Sequence, residues 1–215
     1  MNRRGISHSS VAECARERQS DGFLLVTTIL VVVIYLVLNR PIGNLHSVRS
    51  DVDSHIPFIP VFAVPYLLFL PFFISILLWS FVRSHDFRRL AISIIAVYLI
   101  SYLFFVLYQT HMDRPSVPGQ DVFSALVRQI YSHDQPYNCF PSTHSSTSAV
   151  LSVHLWTTAY RRRWRLVGVT FFSVVIASTL FVKQHYFADA VGGVLLGLGV
   201  TLTVRRLRAS WLVRA

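Results

Sequence analysis

Long apolar blocks alternate with short polar segments along this chain, and most of the blocks are far longer than a β-strand. A helix that crosses a bilayer needs about 20 predominantly apolar residues. The first block is short for a complete crossing, so we expect its helix to extend from Asp21 to Asn39. The pattern predicts an all-α fold, a six-transmembrane-helix bundle. Its helices are expected at roughly 23–38, 58–82, 90–109, 145–160, 166–182 and 186–204.

The polar segments divide the chain into one membrane domain, expected over 21–208, and two tails at 1–20 and 209–215. The first apolar block follows an arginine-containing polar segment and has no small-residue cleavage site behind it, so we interpret it as an uncleaved anchor. Composition agrees with membrane insertion. Of the 215 residues, 53% are hydrophobic and only 14% are charged, whereas soluble domains have about 25% charged residues.

The basic residues predict the orientation of the bundle. With both termini in the cytoplasm, 15 of the 20 basic residues lie on the cytoplasmic side, which is the bias known for membrane proteins. This arrangement accounts for the net charge of +10 through contacts with anionic lipid head groups. A nucleic-acid-binding protein would instead concentrate its basic residues on one soluble face, so we expect no nucleic-acid partner.

Two polar loops are then expected outside the cytoplasm. The loop 40–57 contains two histidines and two aspartates without a recognised metal-ligand spacing, so it is interpreted as a solvated, mobile loop. The loop 110–141 contains apolar residues at helical spacing over 121–132. This amphipathic segment predicts a short helix, which either lies on the membrane surface or packs on the bundle.

Residues suited to phosphate chemistry gather on the same outer face. Arg114 follows the third predicted helix, and its planar guanidinium matches phosphate oxygens. Ser142 or Thr143 can cap the fourth helix, whose first N–H groups favour an anion, and His144 stands at that helix start.

The third cluster opens the last helix, where Lys183, the only lysine of the chain, is followed by His185 and Asp189. On a helix, residues four apart share a face, so the carboxylate could orient one imidazole nitrogen and leave the other free to attack. A His-x-x-x-Asp pair is also typical of a structural hydrogen bond. It is the convergence of all three clusters at one membrane face that favours a site for a lipid-borne phosphate.

Together these motifs resemble the three signatures of the type 2 phosphatidic acid phosphatase (PAP2) superfamily, over about residues 90–200. The resemblance implies a lipid phosphatase that needs no metal or other cofactor and reacts through a phosphohistidine. It implies His185 as nucleophile, Asp189 as its orienting acid and His144 as the acid for the leaving group. Arg114 and Ser142, with N–H groups near Thr143, would bind the phosphoryl oxygens.

Two positions depart from the family pattern. Leu107 stands where the first motif has a lysine, and Ser178-Thr179 replaces the Ser-Arg of the third motif. Lys183 is a candidate substitute for one of these cations. The string from Ser178 to Asp189 resembles the branch that includes inositol phosphorylceramide synthases, so a head-group phosphotransferase is the alternative enzyme. A transporter or inactive bundle is the non-enzymatic alternative, although no internal repeat is visible. The sequence leaves the oligomeric state unknown.

Two further sequence features are expected to have structural rather than catalytic roles. His154 lies in the middle of the fourth predicted helix, where we expect a hydrogen-bonded interior group. Gly193 and Gly197 form a small-residue seam on the last helix, continuing the face of Asp189. The seam is expected to allow a close approach of a neighbouring helix.

Overall fold

The computed structural model describes residues 8–83, 86–159 and 161–207, with side chains from Arg18 onward. This part of the chain is helical, and its only β-type pairings are two isolated bridges. The expected C-terminal tail, 209–215, and the first seven residues lie outside the described residues. The α-helices are α1 (His8–Leu38), α2 (Asp51–His55), α3 (Ala63–Arg83), α4 (Phe87–Leu107), α5 (Val122–His133), α6 (Thr143–Thr158), α7 (Arg162–Phe181) and α8 (Phe187–Arg206).

Within the described ranges, five segments are long and apolar enough to cross a membrane: Arg18–Leu38, Pro60–Arg83, Phe87–Leu107, Arg162–Phe181 and Phe187–Arg206. They correspond to five of the six predicted helices. The remaining one, predicted at 145–160, is α6, which has 16 residues and begins two residues earlier. The first helix also differs from expectation, because α1 begins at His8 and continues through much of the segment interpreted as a polar tail.

Helix α6 is the centre of the bundle and packs against α4, α7 and α8. Its first turns consist of small residues, and the run from Ser145 to Ala149 is buried throughout. Small side chains allow helix backbones to approach closely where lipid provides no hydrophobic driving force. The larger core side chains then come mainly from the surrounding helices, together with the later turns of α6. They include Leu90, Ile94 and Phe105 of α4, Leu151 of α6 and Phe172 and Val175 of α7.

The glycine seam of α8 lies directly against α6, as the sequence predicted. A Cβ atom at Gly193 would be 2.4 Å from the carbonyl oxygen of Ser142, and one at Gly197 would be 2.3 Å from that of Ser146. No larger residue fits at such distances without moving a backbone. The seam therefore fixes the start of α8 against the start of α6, which is where the candidate site lies.

The two outer loops are more ordered than the sequence suggested. In the loop 40–57 most residues are exposed, as expected for a solvated loop, but α2 forms within it and places Asp53 in a buried position. Helix α5 confirms the amphipathic prediction, and it packs on the bundle. Its buried residues Val127 and Ile130 contact a cluster that includes Ala63 and Tyr66 of α3.

Candidate active site at the starts of α6 and α8

The turn between α7 and α8 positions the candidate nucleophile. Lys183 has a φ of 55°, which reverses the chain after α7. The N–H groups of Gln184 and His185 both donate to the carbonyl oxygen of Thr179, at 2.9 and 3.1 Å. His185 consequently lies before α8, with Tyr186 as the N-cap of that helix. The expectation that His185 and Asp189 share a helical face is therefore wrong, because only Asp189 is in the helix.

His185 and Asp189 nevertheless face each other. The distance from His185 Nδ1 to Asp189 Oδ2 is 3.7 Å, and the two side chains are 6% and 0% exposed. Among the described residues, neither His185 Nδ1 nor Asp189 Oδ1 has a hydrogen-bond partner. Buried polar atoms are rarely left in this state. Hydrogen bonds between catalytic groups are often long before substrate binds, so a small shift would pair these two side chains.

Asp189 is held by two backbone contacts. Its Oδ2 accepts a hydrogen bond from the N–H of Tyr186 at 2.8 Å. Its own carbonyl oxygen accepts one from the N–H of Ser142 at 3.1 Å. The second contact joins the start of α8 to the start of α6, so both predicted motifs are tied together through the residue that faces His185.

The start of α6 has the capped geometry expected for an anion site. Ser142 is the N-cap, and its Oγ accepts a hydrogen bond from the N–H of Ser145 at 3.3 Å. Ser142 is fully buried and Thr143 is 4% exposed. The first N–H groups of a helix have no partner within the helix, and the helix dipole makes this end attractive to negative charge.

His144 lies beside His185 at this helix start. The ring centroids of the two histidines are 6.1 Å apart. The His144 ring stacks on Tyr66 at 4.6 Å and contacts Phe69 at 4.8 Å. Because hydrogen-bonding reach is about 3 Å from each ring, one phosphoryl group can contact both imidazoles. The structure thus brings together the two histidines that the sequence singled out.

Arg114 is anchored next to the segment that contains His185. Its guanidinium donates to the backbone carbonyl groups of Tyr131 and Asp134 and to the side-chain oxygen of Gln184. It also lies over the Tyr131 ring, 4.4 Å from the ring centre. These contacts fix the guanidinium next to the residue that precedes His185. Its buried Nε–H has no acceptor within the described ranges.

Lys183 borders a pocket of about 270 Å³ that is also lined by Arg49, Asp113, Arg114 and Tyr186. Its Nζ donates to the carbonyl oxygen of Ile56 at 2.5 Å, at the end of α2. Partial burial lowers the pKa of the Lys183 ammonium, while the nearby Asp53 carboxylate opposes that shift. Arg114 and Lys183, predicted as phosphate ligands, therefore line one pocket, but neither His144 nor His185 is part of its lining.

Asp53 supports the candidate site, although it was not predicted from the sequence to do so. Its Oδ1 accepts a hydrogen bond from the N–H of Phe187, the first residue of α8, at 2.7 Å. Its Oδ2 accepts from the N–H and the Oγ of Ser50, each at 2.8 Å. The carboxylate thereby supports the turn that contains His185. The spacing Ser-x-x-Asp at 50–53 was the one local signal for an ordered helix start here.

Asp134 is the second missed residue. It follows α5 and accepts hydrogen bonds from Asn39 at 2.8 Å, Tyr35 at 3.1 Å and Tyr66 at 2.5 Å. Since Tyr66 also stacks on His144, the carboxylate is connected to the candidate acid through one side chain. No local sequence pattern predicts this role, because the donors come from α1, the residue after it and α3.

One group of side chains could hold a metal ion. A ligand atom from each of Cys139, His185 and Asp189 lies within 4.8 Å of the other two, and all three residues are buried. Burial raises the pKa of the Cys139 thiol well above its usual value, and the Asp189 charge adds to this.

A comparison of the sequence with known protein families identifies the family of this chain. The family model described as the PAP2 superfamily matches residues 86–211, more than half of the chain. The matched region contains α4 to α8 and all the predicted site residues. No curated protein matches the chain, and no solved structure matches it either.

Proposed function

Because the chain belongs to the PAP2 superfamily, whose members are phosphatases or phosphotransferases, we propose that it is a multi-pass membrane phosphatase. Its substrate is a lipid phosphate, of the phosphatidic acid or prenyl diphosphate type, and it reacts through a phosphohistidine on His185. The observation that supports this most directly is the grouping of His185, Asp189 and His144 within one small region at two helix starts.

In the first step, Nε2 of His185 attacks phosphorus and the bond from phosphorus to the lipid oxygen breaks. Asp189 accepts a hydrogen bond from Nδ1–H, which fixes the tautomer and stabilises the positive charge that develops on the ring. Protonated His144 gives its proton to the departing lipid oxygen. The products are a phosphoryl group bonded to His185 and the lipid alcohol, or the lipid monophosphate where the substrate is a diphosphate.

In the second step, a water molecule attacks the phosphohistidine. Neutral His144 takes a proton from this water, the bond from Nε2 to phosphorus breaks, and inorganic phosphate leaves. His144 is then protonated and His185 is free for another cycle. The electron pair of the broken bond returns to Nε2, so each turnover consumes one water and restores both side chains.

The negative charge of the phosphoryl oxygens is offset by fixed groups. Arg114 and Lys183 provide two cations, and the N–H groups near Thr143 and His144 provide dipoles aligned by α6. Because main-chain carbonyl groups anchor the Arg114 guanidinium, it needs little reorganisation when charge develops. Preorganised groups of this kind supply a large share of phosphoryl-transfer catalysis.

The charge distribution supports a site on the extracytoplasmic face. Two ion pairs join Asp86 to Arg89 and Arg205, at 2.8 and 2.7 Å. Arg205 lies in the last turn of α8, whereas His185 precedes its first turn. A helix of 20 residues is about 30 Å long, so the basic cluster and the site lie at opposite ends of the span. Together with the predicted six spans and cytoplasmic termini, the positive-inside rule supports a site outside the cytoplasm.

A head-group phosphotransferase of the inositol phosphorylceramide synthase type is the second candidate. It is favoured by the two departures from the family motifs. Leu107 is 73% exposed on the outside of the bundle, and Thr179 is buried. The positions that usually supply cations are therefore occupied differently, and Lys183 provides a charge from another direction. In this chemistry His185 takes up a phosphoryl group that still bears the donor's head group while diacylglycerol leaves, and in the second step a lipid alcohol attacks in place of water.

The test is to incubate the purified protein with phosphatidic acid, with a prenyl diphosphate, and with ceramide plus phosphatidylinositol, each with and without a strong chelator. The proposal predicts release of inorganic phosphate from one of the first two, unchanged by the chelator. A new phospholipid from the third mixture would assign the transferase instead. Loss of activity in chelator that a divalent ion restores would contradict the metal-independent mechanism.

A further inference from the structure

The thiol of Cys139 is buried next to the candidate nucleophile, and the proposed mechanism makes no use of it. Cys139 is 2% exposed and belongs to one cluster with Tyr186, the residue that follows His185. Its Sγ is 3.6 Å from the carbonyl oxygen of Pro136 and 3.8 Å from that of Gln184. Because a thiol is only a weak hydrogen-bond donor, these long contacts leave the sulfur available as a ligand.

The chain on both sides of Cys139 is held by polar contacts. The side-chain oxygen of Asn138 accepts a hydrogen bond from the Gln109 amide at 2.7 Å. The N–H of Phe140 donates to the hydroxyl oxygen of Thr110, also at 2.7 Å. Since both neighbours are anchored, the backbone at Cys139 has little freedom. The position of the thiol beside the site is therefore built into the fold.

Three different ligand atoms meet at this point. One atom from each of Cys139, His185 and Asp189 lies within 4.8 Å of the other two. Nδ1 of His185 is 3.7 Å from Oδ2 of Asp189, which is too long for a hydrogen bond. Two nitrogen or oxygen ligands of one tetrahedral zinc ion are about 3.4 Å apart, from bond lengths of about 2.1 Å. Small rotations of the side chains would therefore close the group around an ion.

Two of these residues have buried polar atoms that lack a partner. Among the described residues, neither Nδ1 of His185 nor Oδ1 of Asp189 makes a hydrogen bond, although the side chains are 6% and 0% exposed. Such atoms are costly to bury. One cation would satisfy both, and thiolate, imidazole and carboxylate are the ligands that Zn²⁺ takes in proteins. Mg²⁺ and Ca²⁺ fit poorly, because they take oxygen ligands in larger number.

We propose that Cys139, His185 and Asp189 form an inhibitory site for Zn²⁺. The ion binds Sγ, Nδ1 and a carboxylate oxygen, with water as the fourth ligand, and the thiol proton leaves to solvent. A neutral imidazole that binds metal through Nδ1 keeps its proton on Nε2. His185 then has no lone pair with which to attack phosphorus. The metal site goes beyond the proposed function, and only its inhibitory effect depends on that function.

Zinc binding to the purified protein, first stripped of metal, is measured in detergent by competition with a chromophoric chelator. We expect one tight site per chain. Cys139→Ser should bind Zn²⁺ at least about 100-fold more weakly, because losing even a group that supports a ligand costs about 10- to 100-fold. Cys14→Ser is the matched control, since Cys14 is the other cysteine of the chain and precedes the first apolar segment. Its affinity should equal that of the unmodified protein.

Phosphate release is then measured with and without Zn²⁺, and each protein is compared with itself. At free Zn²⁺ about 100 times above the dissociation constant of the unmodified protein, about 1% of its chains remain metal-free. Activity of the unmodified protein and of Cys14→Ser should therefore fall about 100-fold. Under the same conditions Cys139→Ser should lose at most about half of its activity. Mg²⁺ at the same concentration should inhibit none of the three proteins.

Equal zinc affinity, or equal inhibition, in the unmodified protein and Cys139→Ser would overturn the proposal. Failure of the proposed function is distinguishable, because the unmodified protein would then release no phosphate, while zinc binding still decides the metal site. Co²⁺ gives a readout that does not depend on Cys139→Ser being stable. A sulfur-to-cobalt charge-transfer band should appear in the unmodified protein and in Cys14→Ser, and its absence from either would contradict a thiolate ligand at Cys139.

Discussion

Replacing His185 by alanine is expected to reduce phosphate release by about 10⁴-fold or more, equivalent to at least about 5.4 kcal/mol of transition-state stabilisation. In the proposed mechanism the side chain supplies the atom that bonds to phosphorus, and no other imidazole of the described residues occupies its position. The ring centre of His144 is 6.1 Å away, and the proposal gives that residue the role of acid to the leaving group. The measurement is kcat for phosphate release in detergent micelles, with thermal unfolding as a check of folding.

The matched control is His154→Gln. His154 is 3% exposed in α6, and its Nε2 is 2.8 Å from the hydroxyl of Ser80, as expected for a hydrogen-bonded interior group. Glutamine can keep a hydrogen bond to that hydroxyl. This variant should retain most of the activity. Similar activity in the His185 and His154 variants would refute the assignment of the nucleophile.

Replacing Asp189 by asparagine is expected to reduce kcat by about 10² to 10⁴-fold while the protein remains folded. Asparagine has the same shape, and its amide oxygen can still accept the hydrogen bond from the N–H of Tyr186. It has no negative charge to stabilise the imidazolium that forms, and its amide group can orient the wrong tautomer of His185. The loss should appear in kcat and leave the melting temperature nearly unchanged.

Asp121→Asn is the control for this substitution. Asp121 caps α5 by accepting hydrogen bonds from the N–H groups of Phe123 and Ser124, so it also holds a helix start. It is exposed and belongs to no part of the proposed site. An equal loss of activity in both variants, or unchanged kcat in Asp189→Asn, would show that the Asp189 charge does not assist His185.

The helical segments of the fold were predictable because long apolar blocks have few stable alternatives in a membrane. The fourth helix was harder to delimit. Helix α6 is buried by protein on most sides, so it uses small polar residues such as Ser145 and Thr147 where an exposed membrane helix would use large apolar ones. The sequence of α6 is therefore less typical of a membrane helix than the sequences of the neighbouring helices.

The site could be predicted in its residue types but only partly in its geometry. His144, His185 and Asp189 are close together, as their motifs suggested. The position of His185 outside α8 was not foreseeable, because Lys183 adopts its φ of 55° without the glycine or asparagine that would signal it. Asp53 and Asp134 resembled ordinary loop acids. Their partners come from distant parts of the chain, which a local pattern cannot reveal.

The central claim is a covalent bond between His185 and phosphorus during turnover. The most direct measurement is rapid quenching, in alkaline detergent, of the protein mixed with phosphatidic acid carrying a radiolabelled phosphate, followed by peptide mapping. Phosphohistidine survives base and is lost in acid. The mechanism predicts a base-stable, acid-labile label on His185 that is absent from His185→Ala. Steady turnover without any covalent label, or a label on another residue such as Cys139, would contradict it.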